Sequence, residues 1–399
     1  MAIALSGLRV WDGLEEGFSR EPRTIRIEDG RITAIAPAYE TGRVGSARVI
    51  ALDGCYALPG LIDSHVHLCL DPAIRTPQEQ LAVAPERARA GMELRAAAMV
   101  AAGITTARDL GGGAWRELAL RDRILAGAIP GPRLLCAGQP LTTPGGHCHF
   151  WGGEAGDPDQ IRTVIHRQVE HGADWIKVMA TGGVLTRGTT PADSQFGQRA
   201  LRHIVEESAR HGRAVAAHCH ATAGIRDAAH AGVRSIEHCS FAGDSGFGSA
   251  FDPRVVEAIA AARTWVSPTV NGGWLRFLES QGKPTAFFER MHDALEALAR
   301  SGVRLIASTD AGIPGVEHHR LADGLLALAR YAGLSARDVL RAATSLAAEA
   351  LGLADECGVL RPGLSADVLV VVADPMRDLA VLREPRLVVA RGHVVDASP

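Results

Sequence analysis

The chain's apolar and polar positions divide it into three stretches. Up to about residue 57, short runs with strand-like content alternate with turn residues: Ala2-Ile-Ala-Leu, Leu8-Arg-Val-Trp, Thr24-Ile-Arg-Ile-Glu, Arg31-Ile-Thr-Ala-Ile and Arg48-Val-Ile-Ala-Leu. Asp29-Gly30 between two of them signals a hairpin, because both residue types tolerate the left-handed conformations of a two-residue turn. The C-terminal stretch has the same texture: Asp367-Val-Leu-Val-Val-Val, Arg386-Leu-Val-Val-Ala and His393-Val-Val are β-branched runs separated by Pro and Gly. Neither end carries enough apolar residues for a sheet core of its own. Residues 1–57 and 358–399 are therefore expected to pair into one small β-sandwich.

The middle, residues 58–357, alternates short apolar runs with helical periods, which reads as βα units and a parallel sheet. Strands are expected to begin near 60, 104, 133, 174, 213, 233, 264 and 303. Asp157-Pro158 supplies an N-cap and a first-turn proline, with Ile161, Val164, Ile165 and Val169 on one face and Gly172 at the end. Ser335 to Asp338 is a variant capping box, and the Ala/Arg-rich stretch at 84–102 reads as helix. The expected fold class is α/β: a (β/α)8 TIM barrel with a β-sandwich formed by both termini.

Five of the apolar runs end in a residue able to hold a metal ion: Gly60-Leu-Ile-Asp-Ser-His65-Val-His67, Trp175-Ile-Lys177, Val215-Ala-Ala-His218, Ser235-Ile-Glu-His238 and Ser308-Thr-Asp310. A barrel of parallel strands gathers such ends around one mouth. His65 and His67, two apart at a strand end, face the same way, and neutral imidazoles suit zinc and similar metals. His218 and His220 share a face too. His218 is the favoured ligand because it ends the apolar run, and His220 is left to touch substrate or to cap the next helix. Alternation turns Cys219 away from both, as a packed thiol.

Composition sharpens one of these residues. Of 42 Lys+Arg residues only Lys177 and Lys283 are lysine. Lys177 also ends an apolar run, where an ammonium is costly, so a primary amine is needed there rather than a mere cation. An apolar content of 47% and a net charge of −3 describe an ordinary globular protein and give no reason to expect nucleic acid or a membrane surface as partner. Seven cysteines without a CxxC pair argue against a disulfide framework or a zinc ribbon. No signal peptide and no apolar run of spanning length is found. The expected setting is cytoplasmic, with a small-molecule substrate and a homo-oligomeric assembly.

The chain resembles the amidohydrolase superfamily, in its prolidase-like and imidazolonepropionase-like branch. The resemblance rests on Leu58-Pro-Gly-Leu-Ile-Asp-Ser-His-Val-His, Gly103-Ile-Thr-Thr-Ala-Arg-Asp, Ile236-Glu-His, Ser308-Thr-Asp-Ala-Gly and Gly358-Val-Leu-Arg-Pro-Gly-Leu-Ser-Ala-Asp-Val-Leu-Val. It implies two divalent metal ions, zinc foremost with manganese, cobalt or iron as alternatives, held by His65, His67, Lys177, His218, His238 and Asp310. Lys177 would be carboxylated and bridge the two, since a neutral amine attacks carbon dioxide and arginine cannot be made neutral. Asp310 would also act as general acid/base in cleaving an amide bond, most naturally of a dipeptide or N-acyl amino acid. A mononuclear cyclic-amide hydrolase or deaminase, a hydrolase of a lactone, carbamate or phosphoester, and a catalytically silent assembly protein are the rival readings. His147, in the glycine-rich loop Gly145-Gly-His-Cys-His, resembles a substrate-contacting element of the branch. Arg187 is a candidate partner for a substrate carboxylate, although 40 arginines make a plain surface role common. His318, in the loop after the last strand, is a candidate for positioning substrate.

Overall fold

The structure, a computed structural model, describes residues 2–37 and 47–395. Its interior is made of parallel strands in two arcs. The first holds β1 (Leu61–Val66), β2 (Ile104–Asp109) and β3 (Arg133–Cys136). The second holds β4 (Trp175–Met179), β5 (Ala214–Ala221), β6 (Ser235–Ala242) and β7 (Trp265–Ser267). All their pairings are parallel. Every residue of β1, β2, β4, β6 and β7 is buried, as expected for strands covered on both faces. Each of the seven begins within two residues of the position its hydrophobic pattern indicates.

The eighth expected strand is less regular. Residues 303–310 form no ladder, yet their backbone is strung between β7 and β1. Val266 donates to Arg304 O and Ile306 to Val266 O on one side, while Ser64 donates to Ala307 O and Asp310 to His65 O on the other. Side chains take hydrogen bonds that a ladder would use: Asp63 accepts from the Thr309 N–H and Ser308 Oγ from the Thr269 N–H. Between β3 and β4, Leu141 donates to Lys177 O and Met179 to Leu141 O.

Helices follow the strands and cover them. In Pro158–Glu170, Asp157 accepts from the N–H groups of Asp159 and Gln160, Pro158 opens the first turn, and Ile161, Val164 and Ile165 are buried. Gly172 closes the end at φ +82°. Ser335 caps Ala336–Ala342 through the Asp338 N–H, and Pro85–Ala101 is the helix expected of the Ala/Arg-rich stretch.

Strands from both ends of the chain share one sheet. Its order runs His393–Val395, Leu387–Ala390, Val368–Val371, Tyr56–Pro59, Ile3–Val10, Arg23–Glu28, Arg31–Pro37, with Arg48–Ala51 also beside Ile3–Val10. Val368–Val371 against Tyr56–Pro59 joins the C-terminal strands to the N-terminal ones. Apolar burial is shared across this seam: Leu5, Leu8, Ile25, Ala57, Val368 and Val389 belong to one cluster. Asp29 and Gly30 sit at φ +47° and +81° between Glu28 and Arg31, the hairpin turn their sequence signals. Among the described residues no helix is long and apolar enough to cross a membrane.

Candidate metal centre

Two triads of ligand atoms stand where the parallel strands end. The first unites β1 with the eighth segment. His65 Nε2 and His67 Nε2 are 3.3 Å apart, and they lie 3.3 Å and 3.4 Å from Asp310 Oδ1. Each imidazole is fixed from behind: His65 Nδ1 bonds Glu237 Oε2 at 3.0 Å, and His67 Nδ1 donates to Gly111 O at 2.8 Å. These outer bonds leave both Nε2 lone pairs facing the same point, the arrangement that orients histidine ligands.

The second triad is His218, His220 and His238, on β5 and β6. His220 Nδ1 is held by Ser240 Oγ and His238 Nδ1 by Thr269 Oγ1, each at 2.8 Å, leaving Nε2 free in both. His218 is turned the other way: its Nε2 donates to Gly182 O at 3.0 Å, so Nδ1 is its free nitrogen. His220 thus stands at ligand distance together with the favoured His218. Cys219 is buried and directed at Gly224 O, away from the cavity.

Lys177 lies in the same cavity as both triads. It is buried, and its Nζ has no hydrogen-bond partner. Burial brings the amine's pKa down to about 8, against the pull of Glu237 and Asp310. Burial also keeps histidines of the cavity neutral, lowering His65 and His147 to about 4 and His220 to about 3, and holding His218 and His238 well below 6.5. Burial alone would raise Asp310, but His65 and His67 hold it well below the usual carboxylate range. Five imidazoles, one carboxylate and one unpartnered amine form a donor set that fits divalent cations of the zinc type.

Beneath the first triad lies a buried layer of residues that stand inside the quoted motifs but to which the sequence assigns no role. Glu237 accepts from Arg108 at 2.7 Å and from Ser235 Oγ at 2.5 Å, in addition to holding His65. Arg108 also donates to Ser64 O and stacks on Trp175. Burial works against the charge of Glu237, and Arg108 nevertheless keeps its carboxylate ionised. Asp63 bonds the Thr309 hydroxyl at 2.5 Å and the His65 N–H at 3.2 Å, tying β1 to the segment that carries Asp310.

The cavity is about 600 Å³ and mixes the polar groups with Leu70, Trp151, Met179, Phe247, Trp274 and Ile313. His147 lines it, with its ring 4.7 Å from that of His218. A side chamber of about 230 Å³, walled by Ile74, Leu81 and Phe150, shares Leu70, Pro77, Trp151 and Leu185 with it.

Two expectations are corrected. Arg187 is exposed and lies outside the cavity wall, where its loop places Val184 and Leu185 instead. Arg75 and Arg276 are the arginines at the mouth. His318 is also outside the cavity. It is buried behind His67, bonding His67 O at 3.0 Å, because residues 317–319 run along the far side of that histidine.

The pattern that describes the Amidohydrolase family matches residues 56–395. Ochratoxinase of Aspergillus niger is 30% identical over 359 residues, covering 83% of this chain and 73% of that protein. A solved putative prolidase from Bifidobacterium longum is 30% identical with a TM-score of 0.81, over 99% of this chain and 94% of that one. A solved prolidase in complex with N-methylphosphonate-L-proline is 26% identical with a TM-score of 0.84, over 99% of both chains.

Proposed function

Because the chain belongs to the amidohydrolase family, we propose that it is a binuclear metal-dependent hydrolase that cleaves the amide bond of an N-acyl amino acid or dipeptide. The observation that carries this reading is the placing of two triads around one buried, unpartnered lysine amine in a single cavity. In this reading the two arcs and the segment 303–310 are the (β/α)8 barrel of residues 58–357. Residues 1–57 and 358–399 are the composite sandwich, within which 1, 38–46 and 396–399 lie outside the described residues.

His65, His67 and Asp310 would hold one cation, and His218 and His238, with His220 beside them, the other. Lys177, carboxylated on its neutral amine, would bridge them. When bound, such cations polarise the scissile carbonyl and acidify water. The chain's own residues do the rest. Asp310, kept ionised, takes up the proton released in the attack and delivers it to the leaving amine. Glu237 holds His65 in one tautomer. Trp151, Phe247 and Trp274 exclude bulk water, and the side chamber takes an apolar or aromatic side group. Arg75 and Arg276 meet a substrate carboxylate at the mouth, in place of Arg187. Free thiols at all seven cysteines suit a cytoplasmic setting.

The test is elemental analysis of protein purified without chelator, followed by hydrolysis assays on N-acyl amino acids and dipeptides. Two metal equivalents are expected, with Lys177→Ala losing much of the metal and recovering part of its activity with added bicarbonate and a short carboxylate. Asp310→Asn should retain the fold and lose turnover by roughly 10²–10⁴-fold. One equivalent in wild type, unaffected by Lys177→Ala, would move the reading to a mononuclear enzyme.

A further inference from the structure

We propose that His166, Glu207 and His211 form an additional divalent-metal site on the outside of the molecule, clamping helix Pro158–Glu170 to helix Gln198–Arg210. His166 comes from the first helix. Glu207 lies on the second, and His211 follows its last residue, four positions on and so on the same face. Both imidazoles converge on a single carboxylate oxygen: His166 Nε2 is 2.9 Å and His211 Nε2 3.6 Å from Glu207 Oε1. The ligand atoms lie within 4.8 Å of one another, and the two rings meet edge-on at 4.8 Å. None of the three lines the cavity around Lys177.

The chemistry of the set points to its occupant. Two imidazole nitrogens and one carboxylate oxygen suit a borderline cation such as Zn²⁺, Co²⁺ or Ni²⁺, rather than Mg²⁺ or Ca²⁺, which prefer all-oxygen surroundings. Glu207 is only 3% exposed, and its second oxygen is taken by Arg210 at 2.7 Å. Oε1 is therefore left facing the histidines, as an outer hydrogen bond orients a ligating carboxylate. The side chains of His166 and His211 are 43% and 30% exposed, which gives a cation an entry path and leaves an open position for water. Three protein ligands with an open fourth position is a common zinc arrangement. The ligands come from two helices that pack side by side in the layer outside β4, so a cation here would link separate elements of the chain.

The experiment is a calorimetric titration of Zn²⁺ alone into the protein with its cavity metals in place, read beside thermal unfolding. Wild type is expected to take up one further equivalent, and its unfolding midpoint to rise by several degrees. His166→Ala and His211→Ala should weaken that uptake on the order of 100-fold or more, abolish the rise, and leave hydrolysis unchanged. The count is a difference, so it holds whether the cavity carries one cation or two. No further equivalent in wild type would overturn the proposal whether or not the variants fold. Equal uptake by either variant would overturn it as well, leaving the cluster a plain ion-pair network.

Discussion

Glu237 shows how much of a candidate metal centre rests on residues behind the ligand atoms. It is buried between Arg108 and the His65 ring; Arg108 needs its charge and His65 its second acceptor oxygen. Glu237→Gln leaves Arg108 a buried cation without a counter-charge, which is expected to cost about 3 kcal/mol of stability. The same change loosens His65 and lowers metal affinity by roughly 10–100-fold. Urea unfolding and metal titration of the variant check both, and an unchanged affinity would remove Glu237 from the centre's support. Gly183 is a second such position. A Cβ there would stand 2.4 Å from His147 Nε2. Gly183→Ala should displace that ring, with a rise in KM or a fall in kcat of about 10-fold at little cost in stability. Unaltered kinetics would mean that His147 does not meet the substrate.

At the scale of elements, most starts and stops were legible because local chemistry sets them. Asp157 caps its helix through two N–H groups. Asp157→Ala should lower stability by about 1 kcal/mol in urea unfolding and leave turnover intact, whereas a neutral effect would show the helix to be held by packing alone. Strand alternation was reliable for His65, His67, His218 and His220, and it failed on β6. His238, Cys239 and Phe241 have φ of +67°, +48° and +46°, so the strand does not keep its period of two. Glu237 and His238 both reach the interior in consequence. Four of the eleven described non-glycine residues with positive φ line the cavity, namely Cys148, His238, Thr269 and Asp310. That concentration is where strain is expected to collect, and no hydrophobic pattern reveals it.

For the molecule as a whole, the buried histidines set the pH response. Burial lowers the pKa of His65 and His147 to about 4 and of His220 and His318 to about 3, with His218 and His238 also well below 6.5. In the metal-stripped protein, unfolding takes up protons as these groups regain their ordinary affinity. Stability is therefore full above about pH 6.5 and is lost as pH falls toward 4, by roughly 1.4 kcal/mol per unit for each imidazole. Asp63, Asp109 and Glu117, raised by burial, act in the opposite sense over that window. Six imidazoles outweigh three carboxyls, so the urea midpoint should be lower at pH 5 than at pH 7. An equal or higher midpoint at pH 5 would mean the histidines are not held neutral.

The sequence by itself determined the βα alternation, the strand pairing of the two ends and most of the residues that line the candidate metal centre. Each of these follows from a short segment: an apolar run of strand length, a cap, a pair of histidines two apart. What only the tertiary structure decided was the remainder of the site. Arg187 and His318 were sited by loop order in the chain, yet the paths of their loops carry one into solvent and the other behind His67. Arg75 and Arg276 enter the site from segments whose local patterns are ordinary, and Glu237 and Arg108 lie inside motifs of the resemblance with nothing local to mark them as supports of a histidine. Side chains converge on a cavity through backbone turns and long-range packing, and a period of two or 3.6 along one segment contains neither.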